Sequence, residues 1–253
     1  MTLTHPSLQQ HPNITRLLRY DLVPDEHGQI VVPALIMERA TYGNLHDFLH
    51  QVFPSLDAQY KVDLCADATA GLAALHQAGI IHGDVKADNI LIFHATDPSG
   101  RRKYVAKLSD FGSAIFLDEA RQPNRQFRYH GTSLTNAPET LEQFGKNAIP
   151  ADMLVRCDNY SLGLVYLQVL AGDLDALWTS KNAKVLENAV NFVQRCPDLS
   201  DDLIVPICRA LELLLPYNAT DRCADLAVVL NIFRSFELSD IAEIWFVDVP
   251  FFL

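Results

Sequence analysis

His82-Gly83-Asp84-Val85-Lys86-Ala87-Asp88-Asn89 is the most informative stretch of this 253-residue chain. Apolar, β-like runs flank it on both sides, Ile80-Ile81 before it and Ile90-Leu91-Ile92-Phe93 after it. Short apolar runs of this kind predict strands, and the polar residues between them predict a loop. A second polar motif, Asp110-Phe111-Gly112, begins 21 residues after Asn89.

These two motifs carry acid and amide side chains that suit a metal–nucleotide site. An aspartate that faces a substrate hydroxyl can accept its proton, which is the role expected of Asp84. An asparagine five residues later and an aspartate on a neighbouring loop can hold Mg2+ ions that bridge nucleotide phosphates, as expected of Asn89 and Asp110. Lys86 is expected to neutralise the phosphoryl group in transfer. The pattern therefore predicts phosphoryl transfer.

The rest of the chain predicts a small β region followed by a helical body, an α+β fold. Before Thr41, residues 14–22 and 30–37 predict two strands in a hairpin-like arrangement. After it, apolar residues recur every three or four positions through residues 60–75, which predicts a helix with Ser55 as its N-cap and Gly79 as its stop.

The second half of the chain is mainly helical in pattern. Residues 104–108 are expected to pair with residues 90–93 across a polar turn. Eight of the eleven residues 160–170 are large and apolar around the whole circumference, which predicts a buried helix that ends at Gly172. Helical patterning continues over residues 185–193, 203–215 and 226–236.

Composition excludes several classes of protein. With 49% hydrophobic and 20% charged residues, the chain can bury a sizeable core. A formal charge of -11 is opposite to what binding nucleic acid by counterion release requires. The apolar residues 244–253 are too few to span a bilayer, so we expect no membrane association and a cytoplasmic or nuclear protein. The five cysteines form no C-x-x-C pair and are expected to be buried thiols.

The ordered motifs resemble a known family. H-x-D-x-K-x-x-N, then D-F-G, then Ala137-Pro138-Glu139 are similar to the catalytic loop, metal loop and activation-segment end of a eukaryotic protein kinase of the Ser/Thr type, here with an H-G-D variant. The resemblance covers about residues 11 to 236. It implies a protein-kinase-like fold with residues 1–40 as a remnant of the amino-terminal lobe and hinge. Residues 41–253 would form the carboxy-terminal lobe, with the catalytic loop at 82–89 and the activation segment at 110–139.

The resemblance also implies residue roles and cofactors. Asp84 would be the catalytic base, Lys86 the phosphate-contacting lysine of the Ser/Thr class, and Asn89 and Asp110 the Mg2+ ligands of a bound ATP. The acceptor would be a protein substrate, or the chain would regulate a partner kinase.

On the adenine side, the resemblance makes Met37 the gatekeeper. Glu38 and Ala40 would offer backbone groups to the base, and Leu91 would pack beneath it.

Further positions would have structural roles. His82 and Phe111 would stack between the lobes, and Asp158, at the start of the buried helix, would receive backbone N–H groups from the catalytic loop. Glu139 and Arg222 would form an internal ion pair.

Two departures from the family pattern leave alternatives open. Gly83 replaces the usual arginine, so a phosphate on the activation segment would lack its usual partner. No G-x-G-x-x-G or V-A-I-K precedes His11-Pro12-Asn13, which predicts weak turnover by the chain as given. The chain is thus either a truncated kinase or a pseudokinase-like binding module. Small-molecule phosphotransferases also contain an H-G-D motif, but Lys86, the D-F-G motif and residues 131–139 favour a protein kinase.

Overall fold

The computed structural model describes residues 5–24, 31–94, 104–120, 129–142, 149–173 and 182–237. Its first element is an antiparallel pair of strands, β1 (Leu17–Pro24) and β2 (Val31–Met37). The register runs from Leu17 opposite Met37 to Pro24 opposite Val31. The predicted hairpin-like opening is therefore present, and the turn that joins the strands lies outside the described residues.

A helical body follows the hairpin, as the sequence pattern predicts. The helices that the structure describes are α1 (Leu45–Val52), α2 (Ala58–Gln77), α3 (Leu117–Ala120), α4 (Pro138–Glu142), α5 (Ala151–Ala171), α6 (Val185–Gln194), α7 (Asp201–Leu214) and α8 (Ala227–Glu237). α5 packs against α2 and α7, and α2 and α7 both pack against α8. The main core lies between these four helices.

Helix α2 shows how local signals set its ends. Its N-cap is Asp57, whose carboxylate accepts a hydrogen bond of 2.8 Å from the backbone N–H of Gln59. The prediction of Ser55 as the cap is wrong, because Ser55 closes a short 3-10 turn and its hydroxyl donates to Val52. The predicted stop is confirmed: α2 ends at Gln77, and Gly79 has a left-handed φ of +70°.

Helix α5 is the buried helix predicted from residues 160–170. It begins earlier than that run, at Ala151 directly after Pro150, and its first three residues are half-buried or exposed. Asp158 therefore lies within the helix rather than at its start, as the resemblance implied. Gly163 permits close packing, since a Cβ atom there would lie 2.7 Å from the side chain of Leu215.

Two short strand pairs position the loops of interest. β3 (Ile80–Ile81) pairs with β6 (Ile115–Phe116), and β4 (Ile90–His94) pairs with β5 (Tyr104–Leu108), both antiparallel. The predicted pairing of residues 104–108 with residues 90–93 is confirmed. Because the loop 82–89 joins β3 to β4 and the loop 109–114 joins β5 to β6, the two loops emerge side by side. A hydrogen bond of 2.8 Å from the N–H of Ser109 to the carbonyl of Asn89 joins them.

Two expectations from composition can be compared with the structure. Among the described residues, no helix is long and apolar enough to cross a membrane. All five cysteines are free thiols, but Cys196 and Cys223 are only half-buried, so the expectation of five buried thiols is wrong for these two. Residues 244–253 lie outside the described residues.

Candidate active site

The loop between β3 and β4 folds back on Asp84. Its last residues, Ala87–Asn89, form a 3-10 turn that brings the buried side chain of Asn89 to Asp84. The Nδ2 group of Asn89 donates to the main-chain oxygen of Asp84 at 2.8 Å and to its carboxylate oxygen Oδ2 at 3.0 Å. The five-residue spacing in the sequence is thus a direct side-chain contact.

Lys86 and Thr132 complete the surroundings of Asp84. The Nζ atom of Lys86 lies 2.9 Å from Oδ2 of Asp84 and also donates to the hydroxyl of Thr132 at 2.8 Å. Thr132 donates from its backbone N–H at 2.8 Å and from its hydroxyl at 2.9 Å, both to Oδ1 of Asp84. Asp84, Lys86, Asn89 and Thr132 form what we call the loop cluster.

The loop cluster holds Asp84 in its ionised form. Partial burial raises the pKa of the Asp84 carboxyl, but the hydrogen bonds from Lys86, Thr132 and Asn89 and the charge of Lys86 outweigh it, so that the net pKa lies below the usual aspartate value. At neutral pH the side chain is therefore a carboxylate whose orientation is fixed.

The second predicted metal ligand, Asp110, lies on the adjoining loop. Its φ of +56° is left-handed, and its Oδ1 accepts a hydrogen bond of 3.2 Å from the N–H of Gly112. The side chain of Asp110 is exposed. Because Ser109 is bonded to Asn89, Asp110 comes from a loop directly attached to the loop cluster.

Asn89 and Asp110 fit a magnesium ion by their donor chemistry. Mg2+ prefers carboxylate and carbonyl oxygens. The two residues offer different ligand atoms: Asn89 contacts Asp84 through its amide nitrogen, which leaves the amide oxygen as its potential ligand atom, whereas Asp110 supplies a carboxylate.

His82 is fully buried and has a structural role. Its Nε2–H donates to the carbonyl of Ser109 at 3.0 Å, its Nδ1 accepts from the N–H of Asp84 at 3.3 Å, and its ring lies 5.4 Å from that of Phe111. Burial lowers the pKa of His82, against the opposing charge of Asp158, so the ring is neutral. It links the two loops without carrying charge.

Asp158 of α5 anchors the start of the loop 82–89 by hydrogen bonds. Its Oδ2 accepts from the backbone N–H of His82 at 2.8 Å and from Nε2 of His76 at 2.9 Å. Its Oδ1 accepts from the N–H of Gly83 at 3.0 Å and from the hydroxyl of Tyr129 at 2.7 Å. We call Asp158, His76 and Tyr129 the anchor cluster.

The anchor cluster keeps a buried charge stable. Complete burial raises the pKa of Asp158, but the hydrogen bonds from His76 and Tyr129 lower it by more, so the net pKa is below the usual value. Sequence reasoning placed Asp158 correctly beneath the loop and missed His76 and Tyr129. No motif spacing in the sequence indicates either residue.

Gly83 has a steric reason to be glycine. Its φ is +81°, and a Cβ atom at this position would lie 2.3 Å from the carbonyl oxygen of Ser113. Its own carbonyl accepts a hydrogen bond of 3.1 Å from the N–H of Gly131. The arginine usual in the family therefore has no room here, because the loop of Ser113 occupies its place.

The predicted ion pair between Glu139 and Arg222 is present and bidentate. Arg222 donates from its two terminal nitrogens to the two carboxylate oxygens of Glu139, at 2.6 and 2.9 Å. The Arg222 side chain has no exposed surface, and it also donates to the carbonyls of Pro216 and Tyr217. Its guanidinium lies 4.6 Å from the ring centroid of Tyr160. The segment that contains Glu139 is thus joined to the helical body.

The residues expected on the adenine side lie at the end of the hairpin and in β4. Met37, Glu38, Ala40 and Leu91 are all half-buried. The N–H of Glu38 donates to the carbonyl of Arg16 at 3.0 Å, so the carbonyl of Glu38 is the backbone group that this bond leaves for a ligand. Their roles toward a nucleotide stay predictions.

Comparison with known proteins decides the family. A family model for the protein kinase domain matches residues 3–227. The chain belongs to the eukaryotic protein kinase superfamily. The predicted α+β, protein-kinase-like fold is confirmed with it. Members of the family use ATP and a divalent metal ion and act on proteins.

Curated relatives of the protein kinase domain carry both Ser/Thr and tyrosine kinase names. The chain is 30% identical over 205 residues to serine/threonine-protein kinase PknB of Mycobacterium leprae (strain TN), covering 79% of this chain and 30% of that protein. It is 31% identical over 172 residues to serine/threonine-protein kinase PBS1 of Arabidopsis thaliana, covering 66% and 33%. PTI1-like tyrosine-protein kinase 2 of Arabidopsis thaliana is 30% identical over 174 residues, covering 64% and 42%. The matches thus span less than half the length of these relatives.

Proposed function

We propose that this protein kinase domain transfers the terminal phosphoryl group of Mg-ATP to a serine or threonine hydroxyl of a protein substrate, with Asp84 as the base. The observation that carries the proposal is the loop cluster, in which both carboxylate oxygens of Asp84 are oriented by hydrogen bonds. A carboxylate held ionised and in one orientation is prepared to accept a proton from an alcohol.

Lys86 supports the Ser/Thr assignment and has a part in the reaction. An ionised carboxylate offers about four acceptor sites, and Thr132, Asn89 and Lys86 already bond to Asp84. Lys86 reaches it on a flexible stem, with its side chain 21% exposed. We infer that Lys86 turns toward the transferring phosphoryl group, which vacates an acceptor site on Asp84 for the substrate hydroxyl.

Asn89 and Asp110 would hold the metal that accompanies the nucleotide. Mg-ATP, when bound, supplies the phosphoryl group and the positive charge that offsets the charge of the phosphates. Glu38 and Ala40 would contact adenine through their backbones, Met37 would limit the depth of the pocket, and Leu91 would pack beneath the base. The domain limits of 1–40 and 41–253 belong to the same proposal.

The test compares two aspartates of one loop. Asp84→Asn keeps the size of the side chain but removes the base, so we expect phosphate transfer from radiolabelled ATP to a generic basic protein to fall by about 10²–10⁴-fold. Asp88→Asn is the matched control, because Asp88 is exposed on the same loop and should leave the rate unchanged. Phosphoamino-acid analysis of the product should give phosphoserine or phosphothreonine.

Two outcomes would contradict parts of this proposal. Transfer that survives Asp84→Asn removes Asp84 from the role of base, and phosphotyrosine as the product overturns the Ser/Thr assignment. A thermal shift with Mg-ATP measures nucleotide binding separately from turnover.

A second candidate function is that of a regulatory module that binds a partner protein without turnover. The observation in its favour is the row of large apolar side chains at Leu18, Tyr20 and Leu22, which alternate along β1 and are 53%, 75% and 64% exposed. Tyr20 and Leu22 lie on one face of the regular part of the strand, and Leu18 stands at the register shift between Leu17 and Arg19. Mg-ATP binding by the unaltered chain without phosphate transfer would favour this candidate.

A further inference from the structure

A second group of potential metal ligands lies outside the loop cluster. His46 and His50 are four residues apart on α1, and Asp173 follows the end of α5. One ligand atom from each of the three residues lies within 4.8 Å of the others. The two imidazole rings have their centroids 4.5 Å apart at an interplanar angle of 81°.

The amphipathic pattern of α1 places the two histidines together. Leu45, Phe48 and Leu49 are buried against the core, so His46 and His50 share another face of the helix. Residues four apart on a helix are neighbours on its surface. Two histidines at this spacing can therefore bind one ion, as they do in helical zinc motifs.

The end of α5 positions Asp173 against that face. Gly172 caps the helix with a left-handed φ of +87°, and its N–H donates to the carbonyl of Gln168 at 2.8 Å. A Cβ atom on Gly172 would lie 2.9 Å from the ring of Phe53, the residue that follows α1. The close contact between Gly172 and Phe53 therefore fixes where the chain leaves α5, and Asp173 is the next residue.

Gln168 adds a further contact between the two helices. Its side-chain amide lies 3.0 Å from Nδ1 of His46, and Gln168 is buried. The amide nitrogen of Gln168, the atom at this distance, can only donate, so Nδ1 of His46 accepts. A histidine that ligates a metal instead donates its other ring N–H to an outer acceptor, so a metal on Nε2 of His46 requires the Gln168 amide to turn and offer its oxygen to the Nδ1–H. The amide limits rotation of the His46 ring, while the side chains of His50 and Asp173 are exposed.

We propose that His46, His50 and Asp173 bind a divalent transition-metal ion of the Zn2+ type, which links α1 to the end of α5. Two imidazole nitrogens and one carboxylate oxygen suit zinc, nickel or copper, whereas magnesium and calcium prefer all-oxygen sites. Zinc bonds to nitrogen and oxygen at about 2.0–2.2 Å, so small rotations of His50 and Asp173 must draw the three ligand atoms together. Water completes the coordination, because two of the ligands are at the surface.

Calorimetric titration of the full chain with ZnCl2, in excess MgCl2 to occupy oxygen sites, tests the proposal. We expect one zinc ion per chain, a higher thermal midpoint with zinc, and affinity lowered more than about tenfold by His50→Ala, as even loss of an outer partner costs about 10–100-fold. Asp173→Asn should weaken binding less, because the amide oxygen remains a ligand. His94→Ala is the matched control, since His94 is exposed and outside the group, and its affinity should equal that of the unaltered chain.

Cobalt distinguishes this site from the half-buried cysteines. A Co2+ complex with histidine and aspartate lacks the near-ultraviolet charge-transfer band that thiolate ligands produce. We therefore expect the Co2+ spectrum of the chain to show no such band. No zinc binding by the unaltered chain, equal affinity in His50→Ala, or a thiolate band that marks Cys196 or Cys223 would each overturn the proposal.

Discussion

The anchor cluster and the loop cluster are built around two aspartates with similar bonding and different access. Asp158 accepts hydrogen bonds from two backbone N–H groups and two side chains, and it is fully buried. Asp84 is bonded by Thr132, Asn89 and Lys86, and it stays partly exposed. Both carboxyls have a lowered pKa. The two aspartates therefore differ in their access to solvent and in the mobility of their donors. These differences suit Asp84 to chemistry and Asp158 to a structural role.

Among the substitutions considered, the loss of one partner of the buried Glu139–Arg222 pair should have the largest effect on the free energy of unfolding. Arg222→Ala leaves the Glu139 carboxylate without its partner and should lower the free energy of unfolding by about 3–5 kcal/mol. Arg209→Ala is the matched control, because Arg209 pairs with Glu212 on α7 with 63% of its side chain exposed. That exposed pair should contribute no more than about 1 kcal/mol. Urea denaturation of both variants gives the comparison, and equal losses would contradict the assigned role of burial.

Steric crowding at Gly83 should give the next largest effect on the free energy of unfolding. Gly83→Ala adds the strain of a left-handed alanine, about 1–2 kcal/mol, and a collision with Ser113 that adds about 1–3 kcal/mol. Gly79→Ala shares the left-handed φ but meets no atom within 4 Å, so it should show the strain alone. The difference in unfolding free energy between the two variants measures the collision. If Gly83→Arg were as stable as the unaltered chain, the steric explanation for the missing arginine would fail.

Tyr129→Phe tests the part of the anchor cluster that precedes α5 in the chain. Tyr129→Phe removes the hydroxyl that donates to Asp158, and loss of a hydrogen bond to a charged group should cost about 1.5–3 kcal/mol. Tyr20→Phe serves as the control, since Tyr20 is 75% exposed. Thermal midpoints that fall equally in the two variants would mean that the bond to Asp158 contributes nothing.

Lys86 should show the smallest effect on stability and a clear effect on the pH dependence of activity. Its pair with Asp84 is partly exposed, so Lys86→Ala should change the free energy of unfolding by about 1 kcal/mol or less. Because the bond and charge of Lys86 lower the pKa of Asp84, the substitution raises that pKa toward the usual value. The acid limb of the pH–rate profile should therefore move to higher pH.

The sign for stability follows from the same lowered pKa. A carboxyl whose pKa is depressed on folding stabilises the protein above its unfolded pKa, about 3.9, and this contribution disappears as the pH falls through the folded value. Lys86→Ala should weaken this contribution of Asp84 above the unfolded pKa, and the difference from the unaltered chain should vanish as the pH falls through the folded value. An acid limb that stays in place in Lys86→Ala would contradict the cause assigned to the Asp84 shift.

Many features of this protein could be predicted from local patterns in the sequence. The all-round apolarity of residues 160–170 predicts the buried helix α5, and short apolar runs on either side of a polar turn predict β4 and its pairing with β5. The first turns of α5 were missed because charged residues such as Asp152 and Arg156 interrupt the apolar pattern there, although Leu154 is buried. The pairing of Glu139 with Arg222, 83 residues apart, could be predicted only through the resemblance to the kinase family.

Tertiary structure alone decided the contacts around the loop. Tyr129 and His76 reach Asp158 from 29 and 82 residues away, and no periodicity or spacing encodes such bonds. The sequence by itself determined the loop residues, their order and the types of element around them, because these depend on neighbours in the chain. Which donors meet each carboxylate depends on how distant segments pack, and so does the absence of room for a side chain at Gly83.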